Sequence, residues 1–150
     1  YAESDTIAPG DRYVVTETPL GRLGMAVCYD LRFPEQFRAL AEQGMEIMTL
    51  PAAFTTTPGQ AHWEILLRAR AIENQCYFIA AAQCGRHADG RETHGDSLII
   101  DPWGTILGRQ PWGPGVVLAE FSRKRLESIR QQFPVLRHRV SLLRIGSDQS

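Results

Sequence analysis

The chain has 150 residues, 43% of them hydrophobic, and a formal charge of -1. That length and apolar content suit one ordinary folded domain with a core, and nothing in the composition suggests disorder. The near-neutral balance offers no basic footprint for nucleic acid and no polybasic patch for a membrane surface, so a small molecule or another protein is the expected partner.

The opening "YAESDTIAPGD" has neither the basic nor the apolar region of a secretory leader, and no apolar run approaches the ~18 residues of a membrane span. Cysteines at 28, 76 and 84 make an odd count without C-x-x-C spacing. They read as free thiols of a soluble, cytoplasmic protein, with neither a disulfide framework nor a metal site.

In chain order, "RYVVTE" (12–17) is β-rich, and Pro19-Leu20-Gly21 turns it into the apolar "RLGMAV", a hairpin that leads into Cys28. Pro34 suits the first turn of a helix, in which Phe37, Leu40 and Ala41 recur at helical spacing until Gly44. "MEIMTLP" is a short apolar run of the kind found in strands covered on both faces. A polar loop, "AAFTTTPGQ", follows it. Residues 61–74 then give an amphipathic helix with Trp63, Leu66, Leu67 and Ile72 near one stripe and a Glu64–Arg68 pair.

"QCYFIAAAQC" predicts a buried strand, and "GRHADGRETHG" a turn region. "DSLIID" and "TILGRQ" around Asp-Pro-Trp-Gly predict a second hairpin. "GVVLAEF" predicts one more strand. "SRKRLESIRQQF" predicts a charged, largely exposed helix capped by Ser122. After Pro134 there is little pattern, and "GSDQS" reads as a loose end. The alternation predicts an α/β layered fold with a mixed sheet and its helices on one face, which leaves the other face without a cover.

Cys28 sits where a strand gives way to a helix. A thiol near its ordinary pKa of about 8.5 is mostly protonated at neutral pH, so a nucleophilic cysteine needs a helix N-terminus, a cation or a base. The helix expected near Phe33 and the guanidinium of Arg32 supply the first two. The amide of Tyr29 is placed to meet a developing oxyanion. The competing reading is a small buried hydrophobe at a strand end, and the residues alone leave both open. Cys76 and Cys84 read as packing residues. Arg32 is either a fork for a carboxylate or a salt bridge to Asp30 or Glu35. Among His62, His87, His94 and His138, none has the context of a thiol-protease base or of a metal ligand.

"GRLGMAVCYDLRFPE" resembles the nucleophile segment of the nitrilase superfamily of carbon-nitrogen hydrolases. The resemblance continues through "LPAAF", "HWEILLRARAIENQCYFIAAAQCG", "HGDSLIIDPWGTIL" and "GPGVVLAEF", and is strongest to the Nit branch. It implies an α-β-β-α sandwich, a Glu-Lys-Cys triad with a second glutamate, and no cofactor. By this resemblance Cys28 is the nucleophile, Glu3 the second glutamate, and Tyr29 an oxyanion donor. Arg32, Phe54 and Thr55 then line the substrate site. The implied reaction hydrolyses the terminal amide of a small carboxylate-bearing substrate of the deaminated-glutathione type, through a thioester. Omega-amidase chemistry on α-keto acid monoamides is the near alternative. The resemblance also implies a homo-oligomer.

The family lysine and general-base glutamate would both precede Tyr1, and Lys124, the sole lysine, has no motif match. The chain is therefore expected to be the C-terminal part of one larger domain, partnered by a missing N-terminal half or else persisting as an inactive remnant.

Overall fold

The computed structural model describes residues 5–140. The first hairpin forms as expected. β1 (Val15–Glu17) and β2 (Arg22–Met25) pair antiparallel, and Thr18 and Gly21 close the turn with two backbone bonds of 3.1 Å. A short 3-10 helix, Cys28–Arg32, follows β2. α1 (Pro34–Glu42) then opens on its proline, whose missing N–H is not needed in a first turn. Next come β3 (Ile47–Thr49), α2 (Thr56–Asn74) and β4 (Tyr77–Ala80). A separate small hairpin joins β5 (Cys84–Arg86) to β6 (Glu92–His94). The remaining elements are β7 (Ser97–Ile100), β8 (Ile106–Gln110) and α3 (Arg123–Gln132).

The main sheet runs β1-β2-β3-β4-β7-β8, with β2, β3 and β4 parallel and the other pairs antiparallel. Strand side chains alternate between faces. Met48, Phe78, Ala80, Leu98 and Ile100 point to the side covered by α1 and α2, where Phe37, Leu40, Trp63, Leu67 and Ala71 complete one dry core. Trp63 is fully buried, and its Nε1 donates to the Asp96 carbonyl at 2.7 Å, so its one polar atom is satisfied.

The alternate set, Leu23, Ile47 and Tyr77, faces the other way and meets Leu126 of α3 and Phe121. The helices are therefore not all on one face, and α3 is not merely an exposed charged helix. Ser122 caps it by accepting the Arg125 N–H at 3.2 Å. Arg125 pins it to the buried Asp101, giving Oδ2 two bonds of 2.9 and 2.6 Å. Asp101 Oδ1 also accepts the N–H groups of Trp103 and Thr105, both at 2.9 Å, and so shapes the Asp-Pro-Trp-Gly turn.

Four further expectations need correction. α2 begins at Thr56, inside the segment read as a loop, because Pro58 is tolerated in a first turn and Gly59 lets the helix approach His94, which a Cβ there would overlap. Its buried stripe is Gly59, Trp63, Leu67, Arg70, Ala71 and Asn74; Ile72 lies off that spacing and is exposed. The single strand expected over 75–84 is divided. Gln75 ends α2 in the left-handed region at φ 46°, β4 stops at Ala80, and Cys84 opens the small hairpin hidden in the "turn" region.

"GVVLAEF" is not a strand. A strand needs a ladder of partners, and among the described residues none pairs with it; Val116 and Leu118 are 82% and 86% exposed. The end segment "GSDQS" lies outside the described residues.

Candidate active site

Three parallel strands aim their C-terminal ends at one place, the crevice where α/β sheets bind ligands. Cys28 beyond β2, Pro51, Ala52 and Ala53 beyond β3, and Ala81, Ala82 and Gln83 beyond β4 line an open cavity of about 580 Å³. Ser97, Gln110 and the turn at Gly113 to Gly115 close its far side.

Cys28 is half-buried and stands at φ 46°. For a residue with a Cβ this left-handed conformation costs about 1–2 kcal/mol and persists only where the surroundings hold it. Here the Cys28 N–H donates to the Pro51 carbonyl at 2.9 Å, and the Asp30 carboxylate accepts the Val27 N–H at 2.8 Å. α1 begins beside Phe33 as expected, but a short 3-10 turn, Cys28–Arg32, stands between it and the thiol. The next amide, Tyr29 N–H, has no acceptor among the described residues, while its ring is 62% exposed. A thiol and an unpaired N–H side by side are what acyl transfer requires.

Arg32 does not pair with Asp30 or Glu35, and no carboxylate among the described residues lies within ion-pair reach of it. Its guanidinium lies 5.1 Å from the Phe54 ring centroid and 5.5 Å from that of Tyr29. Nη1 is 3.3 Å from His62 Nδ1. A guanidinium only donates, so His62 Nδ1 accepts. The charge is therefore oriented by two aromatic faces and the His62 ring, with no carboxylate beside it among the described residues. Phe54 is buried against Trp63, with ring centroids 4.9 Å apart. Thr55 is the exposed N-cap of α2, with no side-chain cap bond, and bridges to Thr93. Tyr29, Arg32 and Phe54 thus stand together beside the turn that begins at Cys28, with Thr55 next in line, and none of these four lines the Cys28 cavity itself. Glu3 lies outside the described residues.

The other thiols differ. Cys76 is fully buried, and burial pushes its thiol up to about 12, which keeps it neutral and unreactive. Cys84 Sγ accepts the Gly113 N–H at 3.0 Å. None of the four histidines lines the Cys28 cavity. Among the described residues no group of three His, Cys, Asp or Glu side chains could hold a metal ion, and no helix is long and apolar enough to cross a membrane. Lys124 sits on α3 beside Trp103 and Ser128, in a depression that shares no residue with the Cys28 cavity.

The sequence pattern did not single out Arg70, and it named His62 only to set it aside as a base or ligand, not as the partner of Arg32. Arg70 is 6% exposed, within the apolar stripe of α2, and donates from Nε and Nη2 to the Leu31 carbonyl at 3.2 and 3.0 Å. A charge at a stripe position was the available signal.

The sequence profile of the family described as carbon-nitrogen hydrolase matches residues 1–131. The chain belongs to the carbon-nitrogen hydrolase family. Over 138 residues it is 55% identical to a curated protein of Yersinia enterocolitica named deaminated glutathione amidase, a match that covers 92% of this chain and 48% of that protein. It thus spans about half the length of that relative. The crystal structure of the Caenorhabditis elegans NitFhit protein superimposes with a TM-score of 0.89 at 42% identity, over 94% of this chain and 34% of that one. A mutant of the amidase from Nesterenkonia sp. AN1, in which acrylamide has added to the active-site cysteine, superimposes with a TM-score of 0.72 at 30% identity, over 88% and 52% of the two chains. The carbon-nitrogen hydrolase chain therefore has the nitrilase type of fold in its α/β elements, as its motifs imply.

Proposed function

We propose that this chain is the nucleophile-bearing portion of an amidase that hydrolyses the terminal amide of a small carboxylate-bearing substrate of the deaminated-glutathione type. The observation that carries the reading is Cys28, held left-handed at the mouth of a cavity beside the Tyr29 N–H, which has no acceptor among the described residues. The Cys28 thiolate attacks the amide carbon, an S–C bond forms, and the carbonyl oxygen becomes an oxyanion that accepts the Tyr29 N–H. The C–N bond then breaks, the nitrogen takes a proton and ammonia leaves. Water adds to the thioester, the S–C bond breaks, and the carboxylic acid departs with the thiol restored. Arg32, braced on Phe54 and with no carboxylate partner among the described residues, holds the substrate carboxylate, and Thr55 borders the same wall.

In this reading the family lysine and general-base glutamate, with Glu3 as second glutamate, complete the site from polypeptide before β1, because Lys124 is placed elsewhere. The half-covered sheet face and the exposed Val116 and Leu118 support a further layer of the same domain. Association of copies and a cytoplasmic setting belong to the same proposal. The absence of any lysine but Lys124 favours one other reading, a catalytically inactive remnant.

The test is ammonia release from deaminated glutathione and from an α-keto acid monoamide by the purified protein and its Cys28→Ser variant, with intact mass measured alongside. Faster turnover of deaminated glutathione, lost by about 10³-fold or more in the variant, supports the proposal. Preference for the small monoamide shifts it to omega-amidase. A mass of 16.8 kDa with no turnover of either supports the remnant.

A further inference from the structure

We propose that Arg70 is a positioning residue that locks the nucleophile turn in its working shape, an inference that rests on the reading of Cys28 given above. Arg70 belongs to α2 and the turn lies 39 residues away in sequence, so its bonds to the Leu31 carbonyl tie two separate elements together. Leu31 is fully buried and lies in the 3-10 helix that begins at Cys28. The last carbonyls of a helix lack partners within it. Here the partner is a guanidinium whose remaining Nη1 is held by Glu73 at 3.0 Å and whose plane lies over Phe37, 5.6 Å from the ring centroid. Its charge is thus balanced and its orientation fixed on three sides.

This arrangement does more than satisfy one carbonyl. The left-handed Cys28 is retained only while both ends of its turn are held. Pro51 holds the beginning through the Cys28 N–H, and Arg70 holds the end through Leu31. Release of Leu31 lets the turn relax toward ordinary backbone angles, which moves the Cys28 thiol away from the line of the Tyr29 N–H. The residue after Leu31 is Arg32, so the same clamp also sets where that guanidinium stands against Tyr29 and Phe54. One buried arginine therefore fixes the spacing between the attacking thiol and the charge that would hold the substrate.

The experiment measures the alkylation rates of Cys28, Cys76 and Cys84 with iodoacetamide across pH 6 to 9 in the native protein and in Arg70→Met and Arg70→Lys variants, each cysteine followed by peptide mass. Buried Cys76 reports whether the fold survives. The expected result is Cys28 labelling slowed by about tenfold or more in Arg70→Met, with an altered pH profile, partial recovery in Arg70→Lys, and Cys76 protected throughout. Unchanged Cys28 labelling in Arg70→Met with Cys76 protected overturns the positioning role alone. Exposure of Cys76 in both variants also overturns it, because Arg70 is then a structural residue only. Native Cys28 reacting no faster than Cys84 overturns the nucleophile reading, and the role of Arg70 with it.

Discussion

The two faces of the main sheet are built from the same strands and have opposite fates. Toward α1 and α2, every inward side chain from Met48 to Ile100 is sealed beneath Phe37, Trp63 and Leu67. On the reverse, Leu126 and Phe121 close over Ile47 and Tyr77 at one end only. Further along, Met25 and Ile79 stand 46% and 38% exposed. Cys28 lies at the edge between these regions, held from the sealed side by Arg70. The lesson is that the turn carrying the thiol is anchored to a finished core on one side and borders an open face on the other.

Substitutions on the two faces should separate them. The largest effect is expected for Trp63→Ala, which empties the sealed side and should lower stability by about 3–5 kcal/mol in a urea melt; a loss below 1 would break the comparison. Asp101→Ala should cost about 2–3 kcal/mol, because it strands the N–H groups of Trp103 and Thr105 and frees Arg125 and with it α3. Thermal melts of the variant would read this cost.

Cys76 predicts a pH dependence. Its thiol stays protonated up to about 12 when folded, so the unfolded chain sheds that proton first, from about 8.5 upward. Its contribution is whole below that pH and falls as pH rises toward 12, by at most about 1.4 kcal/mol per unit. In melts between pH 8 and 10 the native chain should lose stability with rising pH more steeply than Cys76→Ala, which lacks the group. The smallest effect is expected for Ile79→Thr on the open face, within about 0.5 kcal/mol in the 150-residue chain. In a longer polypeptide that covers the face, the same change should cost several times more.

Most of the sheet was legible because hydrophobic alternation is a local signal. "MEIMTLP" and "DSLIID" became β3 and β7, and Asp-Pro-Trp-Gly became the turn from β7 to β8. What failed depended on distant partners. "GVVLAEF" has the composition of a strand and no neighbour to pair with among the described residues, while "GRHADGRETHG" hid a hairpin beneath its turn residues. At the site, the placing of Cys28 and Tyr29 followed from the strand-to-turn transition. The freedom of Arg32 from Asp30 did not, because it depends on Asp30 bending back to Val27. The clamp of Arg70 on Leu31 was out of reach of any reading that takes the chain one segment at a time.

The most direct test of the central claim is to quench the protein during turnover of deaminated glutathione at low pH and map the acyl adduct by peptide mass. A hydroxylamine-sensitive thioester is expected on the peptide containing Cys28 and none on those containing Cys76 or Cys84. Turnover that persists in Cys28→Ala, or an adduct on another residue, would contradict it.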